Sequence, residues 1–250
     1  MASSNVKRLL VLGGNGYVGQ NICHAAIQSN NFIVRSLNRS GPPSSSPDHI
    51  SPSLSEVEWI SGDIFDKSAR EDAMSDVDGV VSCIGAFGSN EFMHKICGDA
   101  NIEAIRTAKE RGVSKFGFVS SAQVYEGSVG LKLPPWAPMY GYYQGKYRAE
   151  KELQLQYPEK HVIVRPGFIY GPRSVGGHIL PLQLMGGPVS FVGTQLGPVS
   201  SLIQSIPFVG TECASMVPVE CVGRALVKSI EDIDAGKKGI ILDADSIRNC

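Results

Sequence analysis

The sequence lacks the features that mark membrane-spanning and nucleic-acid-binding proteins. It contains no run of about 18 consecutive apolar residues, so we expect no membrane-spanning helix. Its 23 basic and 24 acidic residues leave a net charge of -1 at pH 7. This balance provides no basic excess to hold a nucleic acid backbone, so we expect no nucleic acid partner.

Sequence patterns for disulfides and metal sites are missing as well. The six cysteines include no C-x-x-C pair, so we expect reduced thiols in an intracellular protein. The five histidines show no ligand spacing, so we expect no metal site. The first predicted strand begins near residue 7, so we expect no signal or transit peptide in this sequence. These absences predict a cytoplasmic protein or a trimmed mature form.

The most informative stretch of the sequence lies near its beginning. Apolar residues run into Gly13, Gly16 and Gly19, and an amphipathic pattern follows. This order predicts a strand, a tight turn and a helix, in which glycines let a dinucleotide pyrophosphate approach the helix N-terminus. The residues of this turn that we expect to contact the cofactor are Gly13, Asn15, Gly16, Tyr17 and Val18.

The end of the second predicted strand, residues 32–37, bears on which dinucleotide binds. Asn38, Arg39 and Ser40 follow it, and none of them is an acidic residue that could hold the ribose hydroxyls of NAD. Arg39 can instead pair with a 2′-phosphate. We therefore expect NADP(H) to be favoured over NAD(H). An exposed arginine at the start of a loop, which we predict for residues 41–55, is the alternative.

Further strands are predicted at residues 57–60, 79–86, 115–121 and 160–165, with helices between them. This alternation predicts an α/β fold with a doubly wound parallel sheet, the Rossmann fold. Ligands bind at the carboxyl ends of the strands in such sheets. Asp63 is expected to accept a hydrogen bond from adenine, and Asp66 to cap the next helix. The other predicted cofactor contacts at strand ends are Ile64, Cys83, Ile84, Gly85, Pro166, Gly167, Phe168 and Ile169.

Two features carry the predicted chemistry. Ser120 and Ser121 end the fifth strand, and Tyr142 and Lys146 are spaced to share one face of a helix. A nearby ammonium lowers the pKa of a phenol, which then transfers a proton to or from a carbonyl or alcohol oxygen. We assign Tyr142, Lys146 and Ser121 to catalysis, with Ser120 as the alternative serine. Tyr142 and Lys146 are also expected to contact the cofactor, and a surface pair on a helix is the alternative.

These motifs resemble those of extended or atypical short-chain dehydrogenase/reductases. The resemblance rests on the glycine turn, the Ser-Ser-Ala strand end, the Y-x-x-x-K spacing and the stretch from Arg165 to Pro172. Residues 81–90, 141–146 and 165–171 are similar to a narrower, mitochondrial branch of fungi and plants. That branch is associated with coenzyme Q biosynthesis and related to the 39-kDa NAD(P)H-binding subunit of respiratory complex I. The resemblance thus implies a mitochondrial location.

The resemblance also implies a division of the chain. Residues 1–172 are expected to form the NAD(P)-binding core, and residues 173–250 an integrated cap that binds substrate. Residues 174–211 contain no Lys, Arg, Asp or Glu, whereas a sugar-nucleotide diphosphate requires cations. The segment therefore fits a small apolar substrate, a membrane surface or a partner protein, or it completes the core.

Together these observations predict an NAD(P)-binding oxidoreductase that acts on a hydrophobic carbonyl or quinone-pathway compound. One alternative is a nucleotide-binding structural or regulatory subunit, of a respiratory or coenzyme Q complex, that has no turnover. A weaker alternative is a sugar-nucleotide epimerase.

Overall fold

A seven-stranded sheet lies at the centre of this computed structural model, which describes residues 6–175, 178–181 and 215–250. In chain order, its strands are β1 (Lys7–Leu12), β2 (Phe32–Asn38), β3 (Glu58–Ser61), β4 (Gly79–Ser82), β5 (Lys115–Val119), β6 (His161–Val164) and β11 (Ile240–Leu242). Four short strands form two further pairs, β7 (Ile169–Tyr170) with β10 (Val217–Pro218), and β8 (Pro172–Val175) with β9 (His178–Pro181).

Helices connect and cover these strands. They are α1 (Tyr17–Gln28), α2 (Ser51–Leu54), α3 (Lys67–Ala73), α4 (Asn90–His94), α5 (Ala100–Glu110), α6 (Tyr140–Gln156), α7 (Val219–Asp234) and α8 (Ala244–Arg248). A π-helical turn, Lys95–Asp99, joins α4 to α5, and a 3₁₀ turn, Gly130–Lys132, precedes α6. No helix among the described residues has both the length and the apolar composition needed to cross a membrane.

The order of the strands creates a binding crevice. The sheet runs β3-β2-β1-β4-β5-β6-β11, and every neighbouring pair is parallel. The chain adds strands on one side of β1 and then crosses over to add β4 on the other side. Adjacent connections therefore diverge above the carboxyl ends of β1 and β4, where doubly wound sheets bind ligands. The predicted Rossmann fold is confirmed.

Two hydrophobic layers cover the sheet, as continuous apolar strands require. Alternate residues of β1 face opposite sides: Leu9 and Val11 belong to one buried cluster, and Leu10 and Leu12 to the other. The first cluster contains the apolar faces of α1 and α7, and the second contains those of α3, α5 and α6. The helices that carry the glycine turn and the predicted Tyr-Lys pair thus lie on opposite faces of the sheet.

The C-terminal elements belong to the same layers. β11 pairs with β6 in parallel, and the buried face of α7 packs against α1. Residues 217–250 therefore complete the sheet, although the sequence places them in the cap region. Residues 182–214, which include most of the charge-free segment, lie outside the described residues, so the cap stays a prediction.

Two local expectations need correction. Residues 41–55, predicted to be a loop with little structure, include the short helix α2, because the buried side chains of Ile50 and Leu54 join the cluster beneath α1. The strand predicted at residues 79–86 ends at Ser82, where the chain turns to form the floor of the crevice. By contrast, Asp66 caps α3 as predicted, accepting a hydrogen bond from the Ser68 amide at 2.9 Å.

Candidate functional site

A continuous cleft runs across the carboxyl ends of the central strands. It consists of two cavities of about 260 and 570 Å³. Cys83, Gly85 and Ala86, which follow β4, line both cavities and join them. The smaller cavity lies above β1, β2 and β3, and the larger one lies between β5, β6 and α6. This length and division suit a ligand with two joined halves.

The glycine turn brings the start of α1 to the cleft. Gly13 has a φ of +84°, a conformation that side chains other than glycine rarely adopt. A Cβ at Gly19 would collide with the Gly13 carbonyl oxygen, so α1 packs directly on the turn. Gly16 donates from its amide to that same oxygen at 3.0 Å. The first amides of α1 have no acceptor within the helix and are suited to an anionic group.

Asn15 ties the glycine turn to the end of β2. Its amide donates to Asn38 Oδ1, and its side-chain nitrogen donates to Ser40 Oγ and the Gly41 carbonyl, all at 3.0 Å. Asn38 is buried, and its own side-chain nitrogen donates to Gly41 at 3.2 Å. The side-chain oxygen and the side-chain nitrogen of Asn38 are therefore both hydrogen-bonded within the protein.

Arg39 is the cation at this end of the cleft. It is exposed, lines the smaller cavity, and has no hydrogen bond or ion pair with any residue that the structure describes. Asp63 also lines the cavity, but its Oδ1 accepts from the Phe65 amide at 2.9 Å. The Asp63 carboxylate thus shapes the turn after β3, and its contact with adenine stays a prediction.

Several lining residues of the smaller cavity escaped sequence reasoning. Phe65, Phe92 and Ile96 supply apolar surface beside Ile64, which forms a slot suited to a flat ring. Phe92 and Ile96 are four residues apart in the α4–π segment, and that spacing was the available signal. The remaining lining residues that were not predicted are Leu37, Asn38, Gly62 and Ala86.

The tip of β4 is held from behind by a buried asparagine. Ser82 Oγ donates to Asn101 Oδ1 at 2.6 Å, and the Asn101 side-chain nitrogen donates to the Cys97 and Ile84 carbonyls at 2.9 and 3.3 Å.

Next to the tip of β4, burial raises the pKa of the Cys83 thiol to about 12. The thiol therefore stays neutral near pH 7. The five cysteines among the described residues are free, and Cys213 lies outside them.

The Tyr-Lys pair of α6 faces the larger cavity. Lys146 is 3% exposed, and its Nζ donates to the Val119 carbonyl at 2.7 Å and to the Ile84 carbonyl at 3.0 Å. The same Nζ lies 5.9 Å from the centre of the Tyr142 ring. Burial lowers the pKa of the Lys146 ammonium, although Cys97, Cys83 and Glu150 oppose this effect. Phe87 stacks on Tyr142 with ring centres 5.3 Å apart.

Packing and an ion pair set the position of α6. Its glycines approach the α4–π segment closely: a Cβ at Gly145 would lie 2.9 Å from the Gly98 nitrogen. On another side, the buried Glu150 carboxylate accepts two hydrogen bonds from Arg165, at 3.0 and 2.6 Å. Arg165 directly follows β6, so this pair fixes α6 against the strand end that leads to Pro166 and the other predicted contacts.

Both serines that follow β5 line the larger cavity and are buried. The Ser120 amide donates to the Val164 carbonyl at 2.8 Å and extends the pairing of β5 with β6. The Ser121 carbonyl accepts from the Val124 amide at 3.0 Å in the following turn. Beside them, the segment from Pro166 to Ile169 is supported by residues 215–217 through backbone hydrogen bonds.

The structure brings all of the predicted site residues into this one cleft. Each residue predicted to bind the cofactor or to act in catalysis lines one cavity or both. The larger cavity also contains residues that were not predicted, namely Ala86, Phe87, Val119, Met139 and Tyr143. Among the described lining residues of this cavity, Lys146 is the single charged one. No cluster of three potential metal ligands occurs among the described residues.

Comparisons with known proteins bear on the family and the fold of this chain. A family model described as NAD(P)H-binding matches residues 13–185. An uncharacterized chloroplastic protein of Arabidopsis thaliana is 38% identical over 234 residues, covering 94% of this chain and 75% of the relative. The mitochondrial protein fmp-52 of Neurospora crassa is 26% identical over 261 residues, covering 99% of this chain and 96% of the relative.

Solved structures share the fold. The UDP-Glc/GlcNAc 4-epimerase of Campylobacter jejuni superimposes with a TM-score of 0.64 at 15% identity, covering 97% of this chain and 82% of that one. At this identity the likeness extends to the architecture alone.

Proposed function

This chain belongs to the NAD(P)H-binding family of atypical short-chain dehydrogenase/reductases, and on that premise we propose that it is an NADP(H)-dependent oxidoreductase. We propose as its substrate a small hydrophobic carbonyl compound, such as a quinone-pathway intermediate, or the corresponding alcohol. The observation that carries the proposal is the meeting of Tyr142, Lys146 and Ser121 in one largely uncharged cavity.

The residues of the cleft fit a nicotinamide dinucleotide. The space above Gly16 and the first turn of α1 suits the pyrophosphate. The slot beside Ile64 suits adenine, and Arg39 suits a 2′-phosphate, which supports NADP(H) over NAD(H). Lys146 suits the nicotinamide ribose. When bound, the nicotinamide would supply or accept the hydride.

Tyr142 is the proton donor in the reductive direction. Its phenol gives a proton to the carbonyl oxygen of the substrate, and the nearby Lys146 ammonium favours the phenolate that is left. Ser121 donates a hydrogen bond to the same oxygen and holds it in place. In the oxidative direction the same groups remove the proton from an alcohol.

The charge distribution supports an apolar substrate. Lys146 is the single charged residue among the described lining residues of the larger cavity, and its Nζ already donates to two carbonyls. Residues 174–211, the predicted cap segment, contain no Lys, Arg, Asp or Glu. A sugar-nucleotide diphosphate needs cationic partners, so these observations weigh against the epimerase alternative. Aromatic and aliphatic side chains such as Phe87, Met139 and Phe168 instead suit a hydrophobic ring.

The names of two relatives bear on the cellular location of this protein. The name of the Neurospora relative supports the mitochondrial location, whereas the name of the Arabidopsis relative supports a chloroplast. The association with coenzyme Q rests on the sequence resemblance and stays a prediction.

The test is turnover by a Tyr142→Phe variant. Wild-type protein is supplied with NADPH and a panel of apolar ketones, aldehydes and quinones, and oxidation of NADPH is followed. We expect Tyr142→Phe to lower kcat about 10²–10⁴-fold, because the general acid is lost, while the Kd for NADPH rises by no more than about 10-fold, the effect of one lost contact.

Tyr140→Phe is the matched control, since Tyr140 begins the same helix and does not line the larger cavity. It should leave kcat unchanged. Wild-type protein that binds NADPH and oxidises none of it with any compound would favour the nucleotide-binding subunit without turnover. Turnover of a UDP-sugar would instead support the epimerase.

A further inference from the structure

Ser120 carries a polar group that the described protein leaves unused. The residue is 3% exposed, and its Oγ has no hydrogen-bond partner among the described residues. Buried hydroxyl groups are normally paired, because leaving one unpaired costs the desolvation of that group. Since Ser120 lines the larger cavity of the cleft, a ligand bound there can supply the partner that the described residues do not.

The register of β5 places Ser120 on the side of α6. Phe116 and Phe118 belong to the buried cluster that contains α5 and α6, and Ser120 is the next residue in that alternation. Its amide continues the ladder with β6, since it donates to the Val164 carbonyl at 2.8 Å. The residue therefore keeps the strand geometry and presents its side chain to the face on which Lys146 lies.

Lys146 contacts the end of β5 that leads into Ser120, and it lines the same cavity. Its Nζ lies 4.6 Å from the centre of the Phe118 ring and donates at 2.7 Å to the carbonyl of Val119, the residue before Ser120. A second Nζ hydrogen goes to the Ile84 carbonyl. An ammonium has three N–H groups, so one of them is left for a ligand beside Ser120.

The chemistry of these two groups matches a vicinal diol. A serine hydroxyl both donates and accepts a hydrogen bond, and the ammonium donates. Each hydroxyl of a ribose also donates and accepts, so two adjacent hydroxyls can bind both groups at once. We propose that Ser120 binds the ribose diol of the nicotinamide half of the cofactor together with Lys146, which leaves Ser121 to hold the substrate oxygen. This inference rests on the proposed function of the cleft.

The experiment compares two nucleotides that differ in the nicotinamide ribose. NADPH contains it, whereas 2′,5′-ADP fills the adenosine half alone. We expect Ser120→Ala to raise the Kd for NADPH about 5–30-fold, the effect of one lost hydrogen bond, and to leave the Kd for 2′,5′-ADP within about twofold. Ser121→Ala is the matched control and should leave both Kd values unchanged while it lowers kcat.

A second readout separates this role from a structural one. Because Ser120→Ala removes a buried hydroxyl with no described partner, the ligand-free variant should unfold at the wild-type temperature or above it. Added NADPH should raise that temperature less than in wild type. Ser120→Cys, which keeps the shape with a weaker donor, should weaken NADPH binding in the same direction.

Several results would overturn the inference. A ligand-free Ser120→Ala that unfolds at lower temperature would show that the hydroxyl stabilises the protein itself. An unchanged Kd for NADPH with a raised KM would assign the hydroxyl to the substrate. If the wild type binds NADPH and Ser120→Ala binds it equally well, this inference alone is overturned. Absence of NADPH and NADH binding by wild type would overturn the proposed function as well.

Discussion

Arg39 is the residue on which the proposed preference for NADP(H) rests. It is exposed at the end of β2 and has no partner among the described residues, while the amide of its neighbour Asn38 is fully used. The position that would hold a ribose diol in an NAD enzyme therefore presents a cation and no carboxylate.

Reversing this charge should change cofactor preference. We expect Arg39→Glu to weaken NADPH binding about 10–100-fold, because a charge-assisted contact is replaced by repulsion of the 2′-phosphate. NADH binding should change by less than about threefold. The measurement is fluorescence titration with each nucleotide.

Lys238→Glu is the control for Arg39→Glu, because Lys238 is an exposed cation far along the chain that does not line the cleft. It should leave both affinities unchanged. An equal loss for NADPH and NADH in Arg39→Glu would argue against the 2′-phosphate contact.

The sequence predicted single residues well where their chemistry is unusual for their position. Gly13 needs a positive φ, and the Tyr142–Lys146 spacing is required for the two groups to share a face, so both left a readable pattern. Asn101 left none, because its role depends on which strand end it meets in three dimensions. The unpaired hydroxyl of Ser120 likewise becomes visible when its surroundings are known.

At the scale of elements, the contact between α6 and the α4–π segment positions the Tyr-Lys pair. This contact brings backbone against backbone: a Cβ at Gly141 would collide with the Asn90 carbonyl oxygen, and a Cβ at Gly145 would press on Gly98. Lys146 directly follows Gly145, so any outward movement of α6 displaces its ammonium from the Val119 carbonyl.

A single methyl group at this contact should disturb the site. We expect Gly145→Ala to lower kcat/KM for the reaction proposed above about 10-fold or more, because α6 must move to make room. The better helix propensity of Ala offsets part of the packing strain, so the free energy of unfolding should fall by about 1 kcal/mol. Steady-state kinetics and urea unfolding measure the two effects.

Leu155→Ala is the control on the same helix, since Leu155 is 73% exposed. It should leave kcat/KM at the wild-type value. Unchanged kinetics in Gly145→Ala would show that α6 tolerates the displacement and would contradict the positioning role of this contact.

The sequence also predicted the long elements better than the short ones. β1 begins at Lys7, as its unbroken apolar run predicts, and the helix expected to carry Tyr142 and Lys146 is α6. The α4–π segment was not expected, since Asn90–Asp99 mixes polar and apolar residues without a clear stripe. α2 was missed because its Pro- and Ser-rich composition indicates a loop, and packing of Ile50 and Leu54 overrides that local preference.

At the scale of the whole molecule, Asp234 ties the helix α7 to the amino ends of two strands. It is the last residue of α7 and pairs with Lys7 at 2.8 Å and with Lys115, the first residues of β1 and β5. Lys115 is 1% exposed, so its ammonium depends on this carboxylate for compensation. Burial alone would raise the pKa of Asp234, but hydrogen bonds from Lys115 and Lys7 hold it below its usual value.

Removing this charge should destabilise the fold. We expect Asp234→Asn to lower the free energy of unfolding at pH 7 by about 2 kcal/mol, between the effects of exposed and buried pairs. Asp232→Asn, a substitution on the same helix, removes a surface pair with Lys237, which lies just beyond α7, and should cost less than about 0.5 kcal/mol. Urea unfolding measures both.

The pH dependence of this difference has a defined sign. Because the pKa of Asp234 is lower in the folded protein, its contribution is present above the unfolded pKa of about 4 and is lost as the pH falls through the folded value. The wild type and Asp234→Asn should therefore converge in stability below about pH 3. A difference that stayed constant down to that pH would rule out the ion pair as its cause.

The packing of α1 against α7 has a consequence for folding during synthesis on the ribosome. About 190 residues separate the end of α1 from the start of α7. At a translation rate of about 5–20 residues per second, α7 is synthesised roughly 10–40 s after α1, whose apolar face it covers. During that interval the nascent chain can form β1, α1 and β2 but cannot close the layer above them. The apolar face of α1 is therefore a surface that chaperones can bind while synthesis continues.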